Sequence, residues 1–401
     1  MILKLIWRNL WRNRKRTLIT MASITFAVLL AILMQSFKKG AFDHLIKNVV
    51  GYYSGYIQIH KNGYWEEKSL DNCFSMTEAM ANQLNKNPEI IKYVPRIETF
   101  VLASKQNTTR GCMLVGTDIE KENNLTQLKS KIIRGTYLKN GYEEVLVAEG
   151  LAKRLNIDIN DTLVLFGQGF QGSMAAGKFR TCGILHLASP AMNDAFVYMS
   201  LPAAQYFLSA ENRLSSISLG IDKPGDSDEI VEALSAQLGS QFEVMSWQQM
   251  MPEISNHIKA DGVSFYIFTG VLYLIIGFGF FGTILMMTAE RKYELGMLIA
   301  IGMKKLKLGF ILLGETIMIS LTGVFFGIFL SLPLVLFLNK NPIHLSGNLA
   351  KAYEQFGFEA IFPTAIDFSI FQTQSLIVLC IALLIGLYPL WHVKGLDTSK
   401  R

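Results

Sequence analysis

Residues 289–308, AERKYELGMLIAIGMKKLKL, form a charged segment pinned between two long apolar runs. Glu290, Arg291, Lys292 and Glu294 stand at one end, and Lys304, Lys305 and Lys307 at the other. Between them Leu295, Leu298, Ile299 and Ile301 recur at short helical spacings, so a helix here would carry an apolar stripe on an otherwise basic loop. Such a stripe suits a segment gripped by a partner. The competing reading is a solvated turn whose lysines only orient the chain in a membrane.

The flanking runs decide between a soluble and a membrane chain. Of 401 residues, 50% are hydrophobic and 17% charged, with a mean hydropathy of +0.29, too apolar for an ordinary soluble enzyme of 45.0 kDa. The apolar residues collect in runs at 17–37, 263–288, 309–338 and 374–391, and crossing roughly 30 Å of hydrocarbon takes about 20 helical residues. The first run follows Lys4, Arg8, Arg12, Arg14, Lys15 and Arg16 as a secretory signal would. It is long for a signal core and is followed by Lys38 and Lys39 with no small-residue cleavage site, so it reads as an uncleaved anchor.

Basic residues then set the topology. They crowd the N-terminus, the 289–308 loop and the tail 392–401 (Lys394, Lys400, Arg401), whereas the 339–373 loop has Lys340 and Lys351. Both termini and the central loop are therefore expected in the cytoplasm, with 38–262 outside. On this reading the net charge of +6 is an orientation signal. No basic stripe with interleaved aromatics crosses the outer segment, so nucleic acid is not an expected partner.

Residues 1–16 read as a cytoplasmic amphipathic helix lying in the membrane interface. Leu3, Ile6, Trp7, Leu10 and Trp11 make one stripe, with Lys4, Arg8, Arg12 and Lys15 turned away from it. The outer segment mixes strands and helices. Ser75-Met-Thr-Glu78 spells a capping box opening a helix to about Asn85. Strands are expected at 93–103, 111–117, 145–147, 162–166, 178–185, 195–199 and 217–221. Helices are expected at 149–155, after Pro202, and at 229–238, the last capped by Asp226, Ser227 or Asp228. From Trp247 the apolar spacing continues into the second span, so an unbroken rod would be about 60 Å long, with Pro252 placed to bend it.

The third span holds Glu315 near its cytoplasmic end, with Gly323, Gly327 and Ser331 at four-residue intervals, a pattern that lets helices approach closely and reads as a subunit interface. For Glu315 the simplest partners are Lys304, Lys305, Lys307 or a backbone group. Cys73, Cys112, Cys182 and Cys380 lack metal-ligand spacing and are expected as packed thiols, with a Cys112–Cys182 bridge as the alternative.

Two segments imitate nucleotide sites. Gly167-Gln-Gly169-Phe170-Gln-Gly172 has dinucleotide spacing but lies between strands, where no helix N-terminus awaits a pyrophosphate. In Gly172-Ser-Met-Ala-Ala-Gly177-Lys178, Phe179 replaces the Ser or Thr that would hold magnesium. Both are rejected, leaving 167–177 as a flexible hairpin tip suited to a partner or cargo. The six histidines are scattered, with no metal pair or nucleophile triad, so neither an ATPase nor a protease is expected in this chain.

One span, a large outer α+β domain and three further spans resemble the MacB/FtsX-like permeases of ABC transporters over nearly the whole length. Residues 289–302 are similar to that family's E-R-x-x-E-I-G-x-L-R-A-x-G loop: Glu290, Arg291, Glu294, Gly296, Leu298, Ala300 and Gly302 match, and Ile299 replaces the common arginine. Residues 145–155, 160–163 and 194–198 look like its periplasmic core, Glu315 with its glycines like its third span, and Tyr388-Pro389-Leu-Trp391 like its last.

The resemblance implies that 289–305 is a coupling helix, Leu295 included, docking on a separate ATPase. Two ATPase copies would carry the ATP and magnesium, this chain binding no cofactor. Two permease copies or paralogues would pair in the bacterial inner membrane. Cargo would be moved from the periplasmic side by mechanotransmission, possibilities being lipoprotein release, with a periplasmic carrier, or MacB-like export. The wording leans to the lipoprotein-releasing branch. A membrane-anchored receptor or scaffold without an ATPase is the rival from another class.

Overall fold

The computed structural model describes residues 2–12, 14–139, 141, 143–187, 189–347, 350 and 361–389, with side chains not described at 2–5, 48–49 and 51–52. The tail 392–401, Trp391 and the side chains of Leu3 and Lys4 lie outside this description. The chain forms two compact units, one built on residues 44–256 and the other on the remaining helical segments.

In the first unit a ten-stranded sheet is made of β1 (Ile57–Lys61), β2 (Ile90–Lys105), β3 (Thr108–Thr117), β4 (Ile132–Gly135), β5 (Glu144–Ala148), β6 (Thr162–Gln168), β7 (Met174–Leu185), β8 (Phe196–Ser200), β9 (Ser216–Ile221) and β10 (Phe242–Ser246). The order is β10-β1-β9-β2-β3-β8-β5-β7-β4, with β6 bridging β2 and β7. The pairs β3–β8 and β5–β7 are parallel. The 16-residue β2 is the spine: its first half pairs with β9, its second half with β3 and β6.

Consecutive side chains of a strand face opposite sides. Leu114 accordingly joins one core cluster, with Val101, Leu151 and Phe207, while Val115 joins another with Leu146 and Leu185. A third cluster, around Ile59, Leu84, Leu219 and Leu234, covers β1 and β9. Cys112 belongs with Leu114 and Cys182 with Val115, so the alternative of a Cys112–Cys182 bridge is corrected: the two thiols are free and lie in different clusters. Burial raises Cys73 and Cys112 to about 12 and Cys182 to about 11.

Local signals needed correction in two places. The helix Glu78–Lys86 is capped by Thr77, whose hydroxyl accepts from the Met80 amide at 3.2 Å, so Ser75 is not the cap. The helix Ser227–Leu238 begins with no side-chain cap; Ser227 Oγ donates to Gln248 instead.

Polar residues run through the same sheet. Arg96, fully buried, donates to both Glu122 oxygens at 2.7 and 2.8 Å and to the Tyr53 carbonyl at 2.6 Å. The hydroxyls of Thr117 and Thr126 complete the Glu122 carboxylate. Tyr53 lies in the π-turn Val50–Ser54 that follows the first long helix, so this buried pair pins the entry of the chain into the sheet. His60 is also buried, with Nδ1 3.1 Å from the Ser215 carbonyl and its ring stacked on Tyr64 at 5.0 Å.

The other unit contains α1 (Ile2–Arg12), most of α2 (Arg14–Val49) and α3 (Pro252–Glu290), then α4 (Lys292–Ala300), α5 (Lys305–Lys340) and α6 (Phe368–Gly386). Of these α2, α3, α5 and α6 are long and apolar enough to cross a membrane. They are apolar all round, leaving Phe268, Phe278, Phe325 and Phe329 exposed, as lipid-facing helices do. Asp367 caps α6 through the Ser369 amide and so starts it ahead of the 374 expected from hydropathy. The rod breaks at Met251 (φ −128°, ψ 64°) and restarts at Pro252, a proline being tolerated in a first helical turn. From there α3 runs unbroken for 39 residues, about 58 Å.

The small-residue stripe of α5, read from the sequence as a subunit interface, takes up a helix of the same chain. Gly323 lies against Ile24 and the Met21 carbonyl, and Gly327 against Val28 and the Thr25 carbonyl, all on α2. A Cβ at either position would collide with these atoms. Thr25 donates to the Gly323 carbonyl at 3.1 Å, and Ser331 is buried, bonding back to Ile328.

His60 yields a pH prediction. Burial lowers its pKa from 6.5 to about 4, so the unfolded chain binds the extra proton first as pH falls. The stability from keeping this ring neutral is complete above pH 6.5 and is lost between 6.5 and 4, in total about 3 kcal/mol. Urea unfolding of the full chain, followed by tryptophan fluorescence, should show this acid loss in the native sequence and a shallower one in His60→Asn. Equal slopes would remove His60 as the cause.

Candidate functional site

The loop between the second and third spans folds as a short helix clamped at its root. After α3 ends at Glu290, Arg291 turns the chain (φ −87°, ψ 4°) and α4 begins at Lys292. The turn back into α5 passes Gly302 at φ +100°, where nothing would crowd a Cβ, so glycine is favoured there by its backbone freedom alone. Leu295 is buried against Leu308 and Leu312 at the start of α5, with Ile299 and Met303 packed beside them.

The clamp is ionic. Arg291 is 6% exposed and Glu315 1%, and Arg291 Nη1 lies 2.6 Å from Glu315 Oε2. Asn9 of α1 donates its side-chain amide to Glu315 Oε1 at 2.8 Å, and its carbonyl accepts from Arg291 Nη2 at 3.4 Å. Further out, Arg12 pairs with Glu294 and Arg16 with Glu290. Glu315 therefore meets Arg291 and Asn9, in place of the lysines 304, 305 and 307 expected as its partners.

The amphipathic stripe of α1 also divides. Ile6 and Leu10 are buried in the helical core, Ile6 lying over Gly314 of α5, while Trp7 and Trp11 stay about half exposed. Residues Asn9, Arg12 and Arg16, absent from the expected site, thus belong to it. Arg12 and Arg16 are four apart, as are Glu290 and Glu294, but each pair straddles a break between two helices, so helical spacing alone does not show the match.

The expected coupling residues sort into three groups. Arg291 and Leu295 are buried, Glu294 is engaged by Arg12 of α1 and Glu290 by Arg16 of α2, so these four hold the segment in place. Gly296 and Ile299 are half-buried. Leu298 and Gly302 face outward, joined by Tyr293, Met297 and Ile301, the last 78% exposed. This outward apolar face, rimmed by Lys292 and Lys304, is what the segment offers to another molecule.

The 167–177 stretch is not the free tip expected. The β6–β7 ladder continues to Gln168↔Met174, leaving 169–173 as the connection. Phe170 donates its amide to the Leu208 carbonyl at 2.8 Å, Gln171 its amide to Asp71 at 2.8 Å, and the Arg213 guanidinium covers the Phe170 ring at 5.2 Å. Gly167 packs on Val101, Gly169 touches Leu208, and Gly172 takes φ +73°. An open groove of about 770 Å³ lies alongside, lined by Phe170, Met174, Phe179, Tyr206 and Phe207. Among the described residues no group of three or more His, Cys, Asp or Glu could hold a metal.

Removing one partner of the buried pair isolates the other's charge, at a cost of about 3–5 kcal/mol. Glu315→Gln should lower the apparent melting temperature of the chain in lipid nanodiscs, and Arg291→Met with Glu315→Met should recover most of that loss. Additive losses in the double variant would show that the two side chains do not act as a pair.

Comparison with known proteins agrees with this layout. Residues 17–237 match the MacB-like periplasmic core domain and residues 266–398 the FtsX-like permease C-terminal family. The chain is 22% identical over 332 residues to the macrolide export ATP-binding/permease protein MacB of Escherichia coli, covering 80% of this chain and 50% of that protein. It is likewise 22% identical over 333 residues to the lipoprotein-releasing system transmembrane protein LolC of Buchnera aphidicola, covering 80% of each. The chain thus spans about half the length of the MacB relatives it matches. A solved structure of the periplasmic region of MacB from Actinobacillus actinomycetemcomitans aligns with 53% of this chain and 96% of its own, with 17% identity and a TM-score of 0.36. The protein is a multi-pass membrane protein with an extracytoplasmic domain, and it belongs to the FtsX-like ABC permeases that carry a MacB-like periplasmic core domain.

Proposed function

We propose that this chain is the permease subunit of an ABC transporter that works by mechanotransmission. ATP and magnesium bind a separate ATPase, present in two copies, and the stroke reaches the extracytoplasmic domain through the helices that leave the membrane. Two permease subunits, identical or paralogous, complete the assembly in a bacterial inner membrane. The observation that carries this reading is α4: a short helix held by the Arg291–Glu315 pair and Leu295, with Met297, Leu298 and Ile301 turned outward. An apolar face on a clamped root transmits force where a loose loop would absorb it.

The cargo we assign is a lipoprotein released from the inner membrane and passed to a periplasmic carrier, in keeping with the similarity to LolC. The groove beside Phe170 and Met174 is the surface we assign to cargo or carrier. The equal identity to MacB favours export as the second reading. Depletion separates them: retention of lipoproteins in the inner membrane supports the first, while macrolide sensitivity with normal lipoprotein sorting supports the second.

Leu298→Lys with Ile301→Lys places two charges on the outward face without touching the clamp. Purified from membranes, the native chain should bring with it a P-loop ATPase, and the double variant should lose at least tenfold of that recovery and of the associated ATP turnover. A native preparation without any nucleotide-hydrolysing subunit, or a variant with unchanged turnover, defeats the proposal and favours a receptor or scaffold.

A further inference from the structure

The N-terminal helix has a second face that the clamp leaves unused. Residues 2–16 contain no acidic side chain, and Arg12 and Arg16 are taken up by Glu294 and Glu290. Arg8, Arg14 and Lys15 remain exposed. Beside them Trp7 and Trp11 are 52% and 49% exposed and meet edge to face at 5.9 Å. Arg14 is fixed over Trp11, its guanidinium 5.7 Å from that ring and its Nε donating to the Trp11 carbonyl at 3.3 Å. One residue separates α1 from α2, a membrane span, so this face stands at the edge of the hydrocarbon.

We infer that this face is a binding site for the phosphate of anionic glycerophospholipids. Indoles settle at the level where headgroups meet acyl chains, and cations just above them lie at the height of the phosphates. With Glu294 and Glu290 matched by Arg12 and Arg16, the three remaining cations leave a net positive charge that favours an anionic headgroup over a zwitterionic one. A headgroup held by Arg8 of α1, with Arg14 and Lys15 at the start of α2, is linked through α1 to Asn9, and so to Glu315 and Arg291. Lipid charge thereby steadies the root of α4. This inference needs no ATPase and stands independently of the transport reading.

The test uses the full chain in nanodiscs containing either brominated phosphatidylglycerol or brominated phosphatidylcholine. The signal is the tryptophan quenching lost in Trp7→Phe with Trp11→Phe, which subtracts the other indoles. The brominated anionic lipid should quench this signal at least twofold more than the zwitterionic one, and Arg8→Gln with Arg14→Gln and Lys15→Gln should abolish the difference. Equal quenching by the two lipids in the native sequence, or a preference that survives the triple substitution, would overturn the inference. The comparison in the native sequence decides even where the triple variant assembles poorly.

Discussion

A carboxylate and a guanidinium removed from water together at the edge of a bilayer are tolerable when each finds its full set of partners. Glu315 and Arg291 meet that condition because Asn9 serves both, donating to one and accepting from the other. The geometry of the inner end follows. With Arg291 fixed, α4 leaves α3 in one direction; with Leu295 seated on Leu308 and Leu312, it can rotate little about its own axis. The side that remains outward is therefore chosen by the buried pair.

The extracytoplasmic domain uses the same device. Arg96 and Glu122 are buried, fully hydrogen-bonded, and tied to the carbonyl of Tyr53 where the chain enters the sheet. Such pairs add little net stability over a packed apolar substitute, but an arrangement off by one residue leaves a charge unpaired. In both units the buried arginine fixes the chain just past the end of a long helix: Arg96 through the Tyr53 carbonyl, and Arg291 by its own place after α3.

How much of this was legible depended on the length of the pattern. The apolar runs and the basic loops are long signals, and they give the number of spans and the bounds of the outer segment directly, while its α+β character comes from several strand and helix patterns taken together. Short signals fared worse. Ile57–Lys61 went unseen as a strand because burial on both faces blurs the alternation that marks a half-exposed strand, and Phe242–Ser246 is a five-residue edge strand, too short to carry a clear pattern. Ser75 and Thr77 are both competent caps, and the choice between them is made by packing of Met80 and Leu84. In the site, Glu290, Arg291 and Glu294 stood out as a motif, and each has a partner within the chain. Their partners lie roughly 280 positions away, or on the next helix, so spacing along one segment could not reveal them. Gly323 and Gly327 carried a close-approach signal that was correct in kind; a small-residue stripe does not say which helix it accepts.

The free thiols of the outer domain have a bearing on its biogenesis. Cys73, Cys112 and Cys182 are enclosed, held protonated by burial, and divided between clusters. Thiolate is the form that attacks disulfides and oxidants, so these sulfurs are poor substrates for exchange once the sheet has closed. The domain's native state contains no redox step to complete: its maturation is decoupled from the oxidase supply of the compartment it enters, and its integrity is indifferent to reductant.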